Sequence, residues 1–397
     1  MDKADLVVVG GGIVGLGAAR AWIRRHPESR VIVLEKEAAP GAHASGRNSG
    51  VLHAGFYYDA DSLKAELSVR GNAAMRAFCE ERGLPIRVCG KLVVTRSEAE
   101  IPRVDQLLAR GLANGVRVVG VDAAEARRIE PRARTVERAL WSPDTAVVSP
   151  GAVMSALAAE LRDSGVEIRV GSSLTGRAGG RILATTTGPL RAERVLNAAG
   201  VHADRVAASW DVGTGLQLVP FRGSYVMGEG AGPLACCVYP VPDPTVPFLG
   251  VHVTVTPDGG VKLGPTASPA RWREDYGGRA NFSLEEAREQ ARVQLRLALR
   301  EGSFRRHAIR ELLHHSRTWV VREASSLVEG LRRARFRTWG RPGIRAQLVD
   351  RRTGRFVTDF VVEDGERSVH VLNAVSPAFT CSLPFGELLA DRLEGVA

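Results

Sequence analysis

The stretch "ADLVVVGGGIVGLGAARAWIRRHPESRVIVLEKE" occupies residues 4–37 and decides the fold class. It opens with an apolar run, Leu6–Val9, which is typical of a strand buried on both faces. A G-x-G-x-x-G pattern follows at residues 10–15, and a helical pattern continues from there to about Arg25. A second apolar strand is predicted at Val31–Leu34. Strand, glycine turn, helix and strand in this order predict a unit that binds an adenine dinucleotide.

The three glycines of this pattern have different physical roles. Gly10 makes the tight turn, Gly12 lets the backbone approach a pyrophosphate, and Gly15 lets the helix pack closely on the strand. Ile13 and Val14 would lie in the first turn of the helix. Their backbone N–H groups have no intrahelical partners and are available to phosphates. We therefore expect this turn to hold the pyrophosphate of the cofactor.

The acidic residue after the second strand completes the unit. Glu35 lies 20 residues beyond Gly15, where a carboxylate can accept hydrogen bonds from ribose hydroxyls. A carboxylate at this position disfavours a 2′-phosphate, so NADP is not expected. The motif alone leaves both NAD and FAD open as the cofactor.

The composition limits the other classes of function. A chain of 397 residues exceeds the usual size of one core and predicts two domains.

The net charge of +10 comes from arginines spread along the chain, which we interpret as solvated faces. A patch for an anionic membrane surface or an acidic partner is the alternative. No RNA-binding or zinc-finger pattern is present, so nucleic acid is not expected as a partner. Five cysteines without ligand spacing and histidines outside any ligand motif predict no metal site.

The ends and the apolar runs of the sequence bear on location. No apolar run approaches the roughly 18 residues that a membrane span needs. The N-terminal region reads as a strand rather than as a signal peptide. We expect a cytoplasmic protein, with peripheral attachment to a membrane as a further option.

The segment after Glu35 distinguishes between NAD and FAD as the cofactor. A NAD domain would continue with another helix and strand, whereas here "KEAAPGAHASGRNSGVLHAGFYY" follows. This segment resembles the FAD-dependent oxidoreductases of the D-amino-acid oxidase/glycerol-3-phosphate dehydrogenase superfamily. Further motifs occur in order along the chain: "SLKAELSVRGN", "CGKLVV", "PFRGSY", "YPVPDPTVPFLGVHVT", "GIRAQLVD", "DFVVE" and "HVLNAVSPAFT". Together they resemble the L-2-hydroxyglutarate dehydrogenase/oxidase family over nearly the whole chain.

This resemblance implies FAD and names residues around it. We expect FAD to be held without a covalent bond, because nothing in the sequence demands one; attachment through His43, His53 or Cys381 is the alternative. Asn48, Ser49 and Gly50 would lie near the pyrophosphate and the ribityl chain. Gly200, at the end of a strand, would approach the cofactor. The last helix, which starts after Pro377, would point its N-terminus at the flavin pyrimidine edge and stabilise the anion formed on reduction. The remaining cofactor-binding residues expected are Lys36, Ser45, Ala199, Ser376, Ala378 and Thr380.

The predicted fold class is α/β. A Rossmann-like FAD-binding domain of the glutathione-reductase type is interleaved with a substrate domain on a mixed or antiparallel β-sheet. Short β segments broken by proline and glycine favour the antiparallel sheet. The FAD-binding domain is expected at residues 1–85, 145–210 and 340–397, and the substrate-binding domain at 86–144 and 211–339.

Oxidation of a 2-hydroxy acid needs a base for the hydroxyl proton, and histidine is the usual choice because its pKa is near neutral. His53 lies just past the Asn-Ser-Gly turn, and His252 would lie on one face of a strand in the substrate sheet. Each alone is more often a packed or surface histidine, but the family context favours both for the active site. We expect His252 to be the base and His53 to orient the substrate or the flavin, with His370 as a weaker third candidate.

A cation must also hold the substrate carboxylate, and arginine offers a planar, bidentate fork. Arg345 matches the position at which the superfamily often binds a carboxylate, and Arg222 lies beside small residues and a tyrosine. Two such arginines would suit a dicarboxylate. Tyr57 and Tyr239 are candidate hydroxyl donors, with a packing role as the alternative for each.

The resemblance implies oxidation of L-2-hydroxyglutarate to 2-oxoglutarate by hydride transfer to flavin N5, with oxygen or a quinone as the electron acceptor. A second hypothesis keeps the fold and changes the substrate to another 2-hydroxy acid, an amino acid or an amine. It is motivated by Thr266 in "KLGPTA", where the family usually has asparagine. A third hypothesis is a non-catalytic flavoprotein subunit, which the paired histidines and arginines disfavour.

Overall fold

The structure is a computed structural model that describes residues 1–229, 232–243, 248–314, 316–331 and 335–396. The chain forms two compact units. Unit 1 comprises Met1–Asn48, Pro150–Pro220 and Arg345–Ala397, and unit 2 comprises Ser49–Ser149 and Phe221–Ile344. No helix in these described ranges is long and apolar enough to cross a membrane.

The helices and strands are numbered in chain order. The α-helices are α1 (Ile13–Arg25), α2 (Leu63–Glu81), α3 (Ile101–Ala113), α4 (Ala123–Ile129), α5 (Pro150–Asp163), α6 (Ala203–Ala208), α7 (Leu284–Arg300), α8 (Gly302–His314), α9 (Arg317–Ser325) and α10 (Ala378–Gly395). The strands are β1 (Asp2–Val9), β2 (Val31–Leu34), β3 (Val51–Leu52), β4 (Ile86–Val88), β5 (Lys91–Val94), β6 (Val119–Asp122), β7 (Arg138–Ser142), β8 (Ala146–Val148), β9 (Glu167–Arg169), β10 (Leu174–Arg177), β11 (Ile182–Thr185), β12 (Gly188–Asn197), β13 (Leu216–Gly223), β14 (Val226–Glu229), β15 (Cys237–Pro240), β16 (His252–Val255), β17 (Val261–Gly264), β18 (Ser268–Pro269), β19 (Arg335–Trp339), β20 (Gly343–Asp350), β21 (Val361–Gly365) and β22 (Ser368–Asn373).

Unit 1 is built on a sheet in the order β10-β11-β12-β1-β2-β9, with β22 also pairing with β12 and β21 with β22. The strands around β1 are parallel: Val9 is the partner of Leu34 in β2 and of Asn197 in β12. Leu6 to Val9 are buried, as the continuous apolar run predicts for a parallel strand covered on both faces. The predicted α/β class is confirmed, and β2 has the bounds that the sequence indicated.

Helix α1 packs closely against α10 within unit 1 because both helices carry glycine at the contact. A Cβ atom on Gly17 would lie 2.5 Å from the carbonyl oxygen of Ser382, and one on Gly386 would lie 2.3 Å from that of Gly17. These distances leave no room for a methyl group. The contact therefore fixes α10 against the helix that follows the glycine turn.

Unit 2 contains a second sheet, in the order β19-β14-β17-β16-β15-β5-β7-β6. Most neighbours are antiparallel, and β5 runs parallel to β15 with Lys91 opposite Cys237. A smaller sheet, β3-β8-β4, belongs to the same unit. This mixed, largely antiparallel arrangement agrees with the predicted character of the second domain.

The compact units and the predicted domains divide the chain differently at residues 49–85. These residues belong to unit 2, whereas the prediction places them in the FAD-binding domain. The cause is local pairing: β3 pairs with β8, and Asn72 of α2 donates hydrogen bonds to the carbonyls of Leu52 and Asp144. The assignment of unit 1 to FAD and of unit 2 to the substrate stays a prediction.

Candidate functional site

The glycine turn of unit 1 is closed by backbone contacts that exclude side chains. Gly10 has a φ of +113°, and a Cβ atom there would lie 2.4 Å from the carbonyl oxygen of Ala198. A Cβ atom on Gly15 would lie 2.1 Å from the carbonyl oxygen of Gly10. Helix α1 begins at Ile13 after Gly12, which has no side-chain cap. The turn therefore brings backbone without side chains to a helix N-terminus, which is the geometry that suits a pyrophosphate.

Glu35 is buried against this turn. Its Oε2 accepts the N–H of Gly11 at 3.1 Å and its Oε1 accepts the N–H of Glu37 at 2.8 Å. A carboxylate oxygen can accept more than one hydrogen bond, so Glu35 keeps capacity for ribose hydroxyls. Gly11 is a further residue of the site, because a Cβ atom there would lie 2.8 Å from Glu35 Oε2. The middle glycine of "GGG" was the signal that the spacing pattern did not include.

Lys36 forms a surface ion pair with the carboxylate of Glu37, with Nζ and Oε1 2.5 Å apart. This partner holds the pKa of Glu37 below its usual value. The predicted contact of Lys36 with the cofactor stays a prediction.

The loop after β2 contributes polar groups beside α1. The hydroxyl of Ser45 accepts the N–H of Ile13 at 2.9 Å, so the Ile13 amide is already engaged by the protein. Asn48 donates from Nδ2 to the carbonyls of Ser45 at 2.7 Å and Ala44 at 3.3 Å. Asn48 thus shapes the 3₁₀ turn at 44–46.

The next two predicted cofactor residues begin unit 2. Ser49 Oγ accepts the N–H of Val51 at 3.3 Å, and Gly50 has a φ of +73°. Their expected contacts with the cofactor stay predictions.

Two further predicted parts of the cofactor site are helix or strand ends in unit 1. Beyond β12, the N–H of Ala199 donates to Asn197 Oδ1 at 3.2 Å, and Gly200 has a φ of +58°. Helix α10 begins at Ala378 after Pro377, without a side-chain cap, and Thr380 in its first turn is buried. An uncapped N-terminus keeps N–H groups available to an anionic group.

In unit 2, one face of the large sheet brings together side chains from three adjacent strands. The side chain of Tyr239 in β15 stacks on that of His252 in β16, with ring centroids 3.8 Å apart. Lys91 Nζ in β5 lies 4.4 Å from the centroid of the Tyr239 ring. The strand order β16-β15-β5 explains this, because side chains in register on neighbouring strands share a face. We call Lys91, Tyr239, His252, His53 and Tyr57 the basic cluster.

The tautomer of His252 follows from its hydrogen bond. Nδ1 lies 2.9 Å from the carbonyl oxygen of Gly250, which can only accept. Nδ1 therefore carries the hydrogen, and Nε2 is the basic nitrogen of the neutral ring.

His53 follows β3 and is buried. Asn72 of α2 donates to the carbonyl oxygens of Leu52 and His53, at 3.1 and 3.4 Å, and so fixes the turn that carries the imidazole. Burial lowers the pKa of His53 well below its ordinary value, and the charge of Lys91, together with that of His252 when His252 is protonated, lowers it further. His53 is therefore neutral at physiological pH.

Tyr57 adds a buried hydroxyl from the same segment. Its ring lies 5.2 Å from Lys91 Nζ, and its hydroxyl has no hydrogen-bond partner among the described residues. Burial raises the pKa of Tyr57 well above its usual value. The hydroxyl is a donor that can serve a ligand.

A family model described as "FAD dependent oxidoreductase" matches residues 5–392. The chain belongs to this family. FAD is its cofactor, as predicted, and the glycine turn, Glu35 and the uncapped α10 fit that group.

The curated relatives of this oxidoreductase match it over nearly its full length. It is 34% identical to the L-2-hydroxyglutarate dehydrogenase of Salmonella houtenae, over 99% of this chain and 93% of that protein. It is 33% identical to the enzyme of the same name from Escherichia coli K12, over 98% and 93%, and 34% identical to the human mitochondrial enzyme, over 98% and 88%. The predicted resemblance to this family is confirmed.

Solved structures agree on the fold. An FAD-bound L-α-glycerophosphate oxidase from Mycoplasma pneumoniae superposes with a TM-score of 0.76 at 21% identity, covering 100% of this chain and 96% of that one. Glycine oxidase from Geobacillus kaustophilus gives the same values. At this identity the likeness concerns the fold of the oxidoreductase alone.

The two candidate arginines of the oxidoreductase differ in their surroundings. Arg222 Nη1 lies 3.3 Å from Asp275 Oδ1, and Arg271 binds the same carboxylate with Nε 2.8 Å from Oδ2. Arg345 is half-buried in β20 and has no ion pair within the described ranges. A carboxylate of the substrate would therefore meet less competition at Arg345 than at Arg222.

Two other residues that the sequence singled out have local structural partners. His370 is buried in unit 1, with Nδ1 3.2 Å from Asn197 Nδ2 and Nε2 2.9 Å from Ser368 Oγ. Thr266 exchanges hydrogen bonds with Ser224, whose N–H lies 3.1 Å from the threonine hydroxyl. Both ring nitrogens of His370 and the hydroxyl of Thr266 are thus used by the fold.

Lys91 is the member of the basic cluster that the sequence analysis missed. It is fully buried, and burial lowers its pKa to about 8. The only available signal was a lone lysine inside the apolar strand "KLVV", in a chain that uses arginine almost everywhere else.

Proposed function

We propose that this oxidoreductase converts L-2-hydroxyglutarate to 2-oxoglutarate. The proposal is supported by curated relatives of that name, which are 33–35% identical and match 98–99% of the chain. When bound, FAD supplies the acceptor for the hydride that leaves the carbinol carbon. The protein must supply a base, a partner for the carboxylates and a fixed orientation.

The single observation that carries the chemistry is the contact between His252 Nδ1 and the carbonyl oxygen of Gly250. Because Nδ1 donates to the carbonyl of Gly250 at 2.9 Å, Nε2 is the nitrogen of the neutral ring that carries the lone pair and can take a proton. The stacked ring of Tyr239 holds the imidazole in its plane. His252 takes the hydroxyl proton at Nε2, and His53, kept neutral by burial, orients the hydroxy acid through a hydrogen bond.

Arg345 holds a carboxylate of the substrate, and Arg222 is the weaker candidate because Asp275 already occupies its guanidinium. The Tyr57 hydroxyl is a donor for a substrate oxygen. Two carboxylates distinguish 2-hydroxyglutarate from monocarboxylic hydroxy acids, so loss of a cation should affect the dicarboxylate most.

The experiment is anaerobic reduction of the flavin by a panel of substrates. L-2-Hydroxyglutarate should bleach the flavin absorbance, while D-2-hydroxyglutarate, L-lactate, glycine and a secondary amine should act at least about 10²-fold more slowly. Faster bleaching by an amino acid or an amine would show that the substrate is a compound of that class. The protein would still be an FAD-dependent oxidoreductase. A flavin that none of them reduces would favour a non-catalytic subunit.

The electron acceptor is oxygen or a quinone. Reoxidation of the reduced flavin, followed by stopped-flow in air-saturated buffer and with a soluble quinone, separates the two. Reoxidation that is at least about tenfold faster with the quinone would identify a dehydrogenase.

Peripheral contact with an anionic membrane is supported by one face of α7. Leu295 and Leu299 are 61% and 73% exposed, and they alternate with the exposed Arg292, Arg296 and Arg300. Apolar side chains flanked by arginines suit an interface between headgroups and acyl chains. Co-sedimentation with vesicles containing phosphatidylglycerol should exceed that with neutral vesicles and should fall in Leu299→Ser. Equal sedimentation with both vesicle types would contradict the proposed contact of α7 with an anionic membrane.

A further inference from the structure

Two of the five cysteines lie next to each other in the large sheet of unit 2. Cys89 Sγ is 3.9 Å from Cys237 Sγ, and both thiols are buried. Cys237 is the first residue of β15, whereas Cys89 is separated from the start of β5 by Gly90, which has a φ of +70°. The N–H of Cys237 donates to the carbonyl oxygen of Gly90 at 3.2 Å. This hydrogen bond fixes the turn that brings the two sulfurs together.

The Cys237 thiol shares its face of the sheet with two lysines. Lys91 in β5 is the register partner of Cys237. On the other side of β15, the antiparallel register places Cys237 opposite Thr254 of β16, whose partner in β17 is Lys262. Side chains in register on neighbouring strands share a face, so the two lysines lie on either side of the thiol. The chain has only five lysines, and two of them flank this cysteine.

The two thiols differ in their hydrogen bonds. Cys89 Sγ also lies 3.4 Å from the carbonyl oxygen of Gly90, which can only accept, so Cys89 keeps its hydrogen. The hydrogen bond from Cys89 holds the pKa of Cys237 below its ordinary value in spite of burial. The charges of Lys91 and Lys262 act in the same direction. Thiolate character therefore concentrates on Cys237, and a thiolate beside cations is the reactive form of cysteine.

Cys89 is the thiol nearer to solvent. It is 9% exposed, whereas Cys237 is fully buried, so a small neutral oxidant can reach the pair past Cys89. A disulfide needs its sulfurs about 2.0 Å apart, so the two thiols must approach by about 2 Å. Cys89 lies between β4 and β5 rather than inside a strand. A change of its side-chain rotamer is the movement that a disulfide requires.

We propose that Cys89 and Cys237 form a redox-active dithiol that hydrogen peroxide oxidises to a disulfide, with Cys237 as the attacking thiol and Cys89 as the resolving thiol. The Cys237 thiolate attacks one peroxide oxygen and the O–O bond breaks. The leaving hydroxide takes the proton that Cys237 gave up and becomes water, while Cys237 becomes a sulfenic acid.

The second step closes the disulfide. The Cys89 sulfur attacks the sulfenic sulfur of Cys237, the S–S bond forms and the S–O bond breaks. The hydroxide that leaves takes the Cys89 proton and becomes a second water. Two thiols and one hydrogen peroxide thus become one disulfide and two waters.

This dithiol goes beyond the proposed oxidation of a hydroxy acid and does not depend on it. Hydrogen peroxide is the product when oxygen takes two electrons from a reduced flavin. Oxygen as the electron acceptor would therefore supply the oxidant at the protein itself. The dithiol also adjoins the basic cluster, because Lys91 faces Cys237 and lies 4.4 Å from the centroid of the Tyr239 ring.

The test counts thiols on the FAD-loaded protein after treatment with equimolar hydrogen peroxide. Protein that was reduced beforehand is oxidised, unfolded in N-ethylmaleimide so that buried thiols are labelled, and digested for mass spectrometry without reductant. Wild type should lose two of its five thiols and yield one peptide pair joined through Cys89 and Cys237, which dithiothreitol separates. Labelling of every thiol, or a disulfide that contains another cysteine, would overturn the proposal.

Three variants separate the roles of the two thiols. Cys89→Ser should keep a sulfenic acid at Cys237, which dimedone traps, and should form no disulfide. Cys237→Ser should leave Cys89 as an unreacted thiol. Cys236→Ser is the matched control, because it removes the neighbouring buried cysteine outside the pair, and it should form the disulfide as wild type does. Trapping of Cys89 by dimedone in Cys237→Ser would contradict the assignment of the attacking thiol.

The two lysines predict the rate of oxidation. Lys91→Met should lose thiols about tenfold more slowly than wild type near neutral pH, because loss of a neighbouring cation lowers the thiolate fraction of Cys237. Lys91→Arg keeps the charge and should react at a rate within about twofold of wild type. Equal rates in Lys91→Met and wild type would contradict activation of Cys237 by the lysines.

The peptide map of wild type decides the proposal even if a variant does not fold, because the joined peptides are found without any substitution. It also needs no substrate. A wild-type flavin that L-2-hydroxyglutarate fails to reduce would remove the proposed function and leave the result for the dithiol unchanged.

Discussion

The glycine turn of unit 1 and the basic cluster of unit 2 are built in opposite ways. The turn is made of backbone, and its residues lie within one stretch that ends at Glu35. The cluster is made of side chains from segments as far apart as His53 and His252. A site of the first kind depends on the absence of side chains, whereas a site of the second kind depends on their charge and tautomer. Substitutions should therefore abolish binding in the turn and change rates or pH profiles in the cluster.

The largest effect should come from Gly10→Ala. A Cβ atom there would lie 2.4 Å from a backbone carbonyl at a φ of +113°, so the turn cannot keep its form. We expect the purified protein to lack FAD, measured by its visible flavin absorbance, and therefore to lose all flavin-dependent activity. Gly151→Ala in α5 is the control, because no atom lies within 4 Å of its added Cβ. Equal FAD content in both variants would contradict the claim that FAD binding depends on the absence of a side chain at Gly10.

The next effect should come from His252→Ala in the cluster. We expect FAD content to stay normal and the rate of flavin reduction to fall by about 10²–10⁴, with loss of the low-pH limb of its profile. His26→Ala, at an exposed position beside Glu394, is the control. Normal reduction in both His252→Ala and His53→Ala would mean that neither histidine is the base.

Substitution of the two arginines should distinguish a guanidinium that binds the substrate from one that already binds a carboxylate of the protein. Arg345→Lys should lower kcat/KM by about 10²-fold, on the scale of losing a bidentate pair with a carboxylate, while FAD stays bound. Arg222→Lys should have a smaller effect, because Asp275 already accepts from this side chain at 3.3 Å. Steady-state kinetics that show the reverse order would place the carboxylate at Arg222.

The smallest effect should appear in stability and should mark His370 as structural. Burial lowers its pKa from 6.5 to about 4, so the unfolded chain takes up a proton first as the pH falls. The contribution of the buried, neutral His370 to the free energy of unfolding is fully present above pH 6.5. It is lost between pH 6.5 and 4 and is on the order of 3 kcal/mol in total. Denaturant unfolding of His370→Gln should show a shallower decline in this window. An identical decline in both proteins would contradict this role.

The sequence predicted unit 1 well because its signals are local. Continuous apolar runs, glycine spacing and the acid at position 35 each occur within a few residues of the structure they specify, and β2 and α1 end where expected. Such patterns depend on backbone geometry, which short sequences determine.

The basic cluster could be predicted only in part. His53 and His252 were singled out for their chemistry, but Lys91 was not, because the neighbours that give it meaning come from β15 and β16. Pairing of distant strands is set by the whole sheet rather than by any one segment. The partner of Arg222 was missed for the same reason, since Asp275 lies 53 residues away in the sequence.

The placement of the five lysines has a practical consequence for labelling and immobilisation. Lys91 is fully buried and Lys64 nearly so, whereas Lys262 in β17 is half-buried, Lys3 is exposed and Lys36 is 34% exposed. Amine-reactive dyes and activated surfaces should therefore attach through Lys3 and Lys36 in unit 1 and through Lys262 in unit 2. An electrode or bead coupled in this way would carry the protein in a small number of defined attachments.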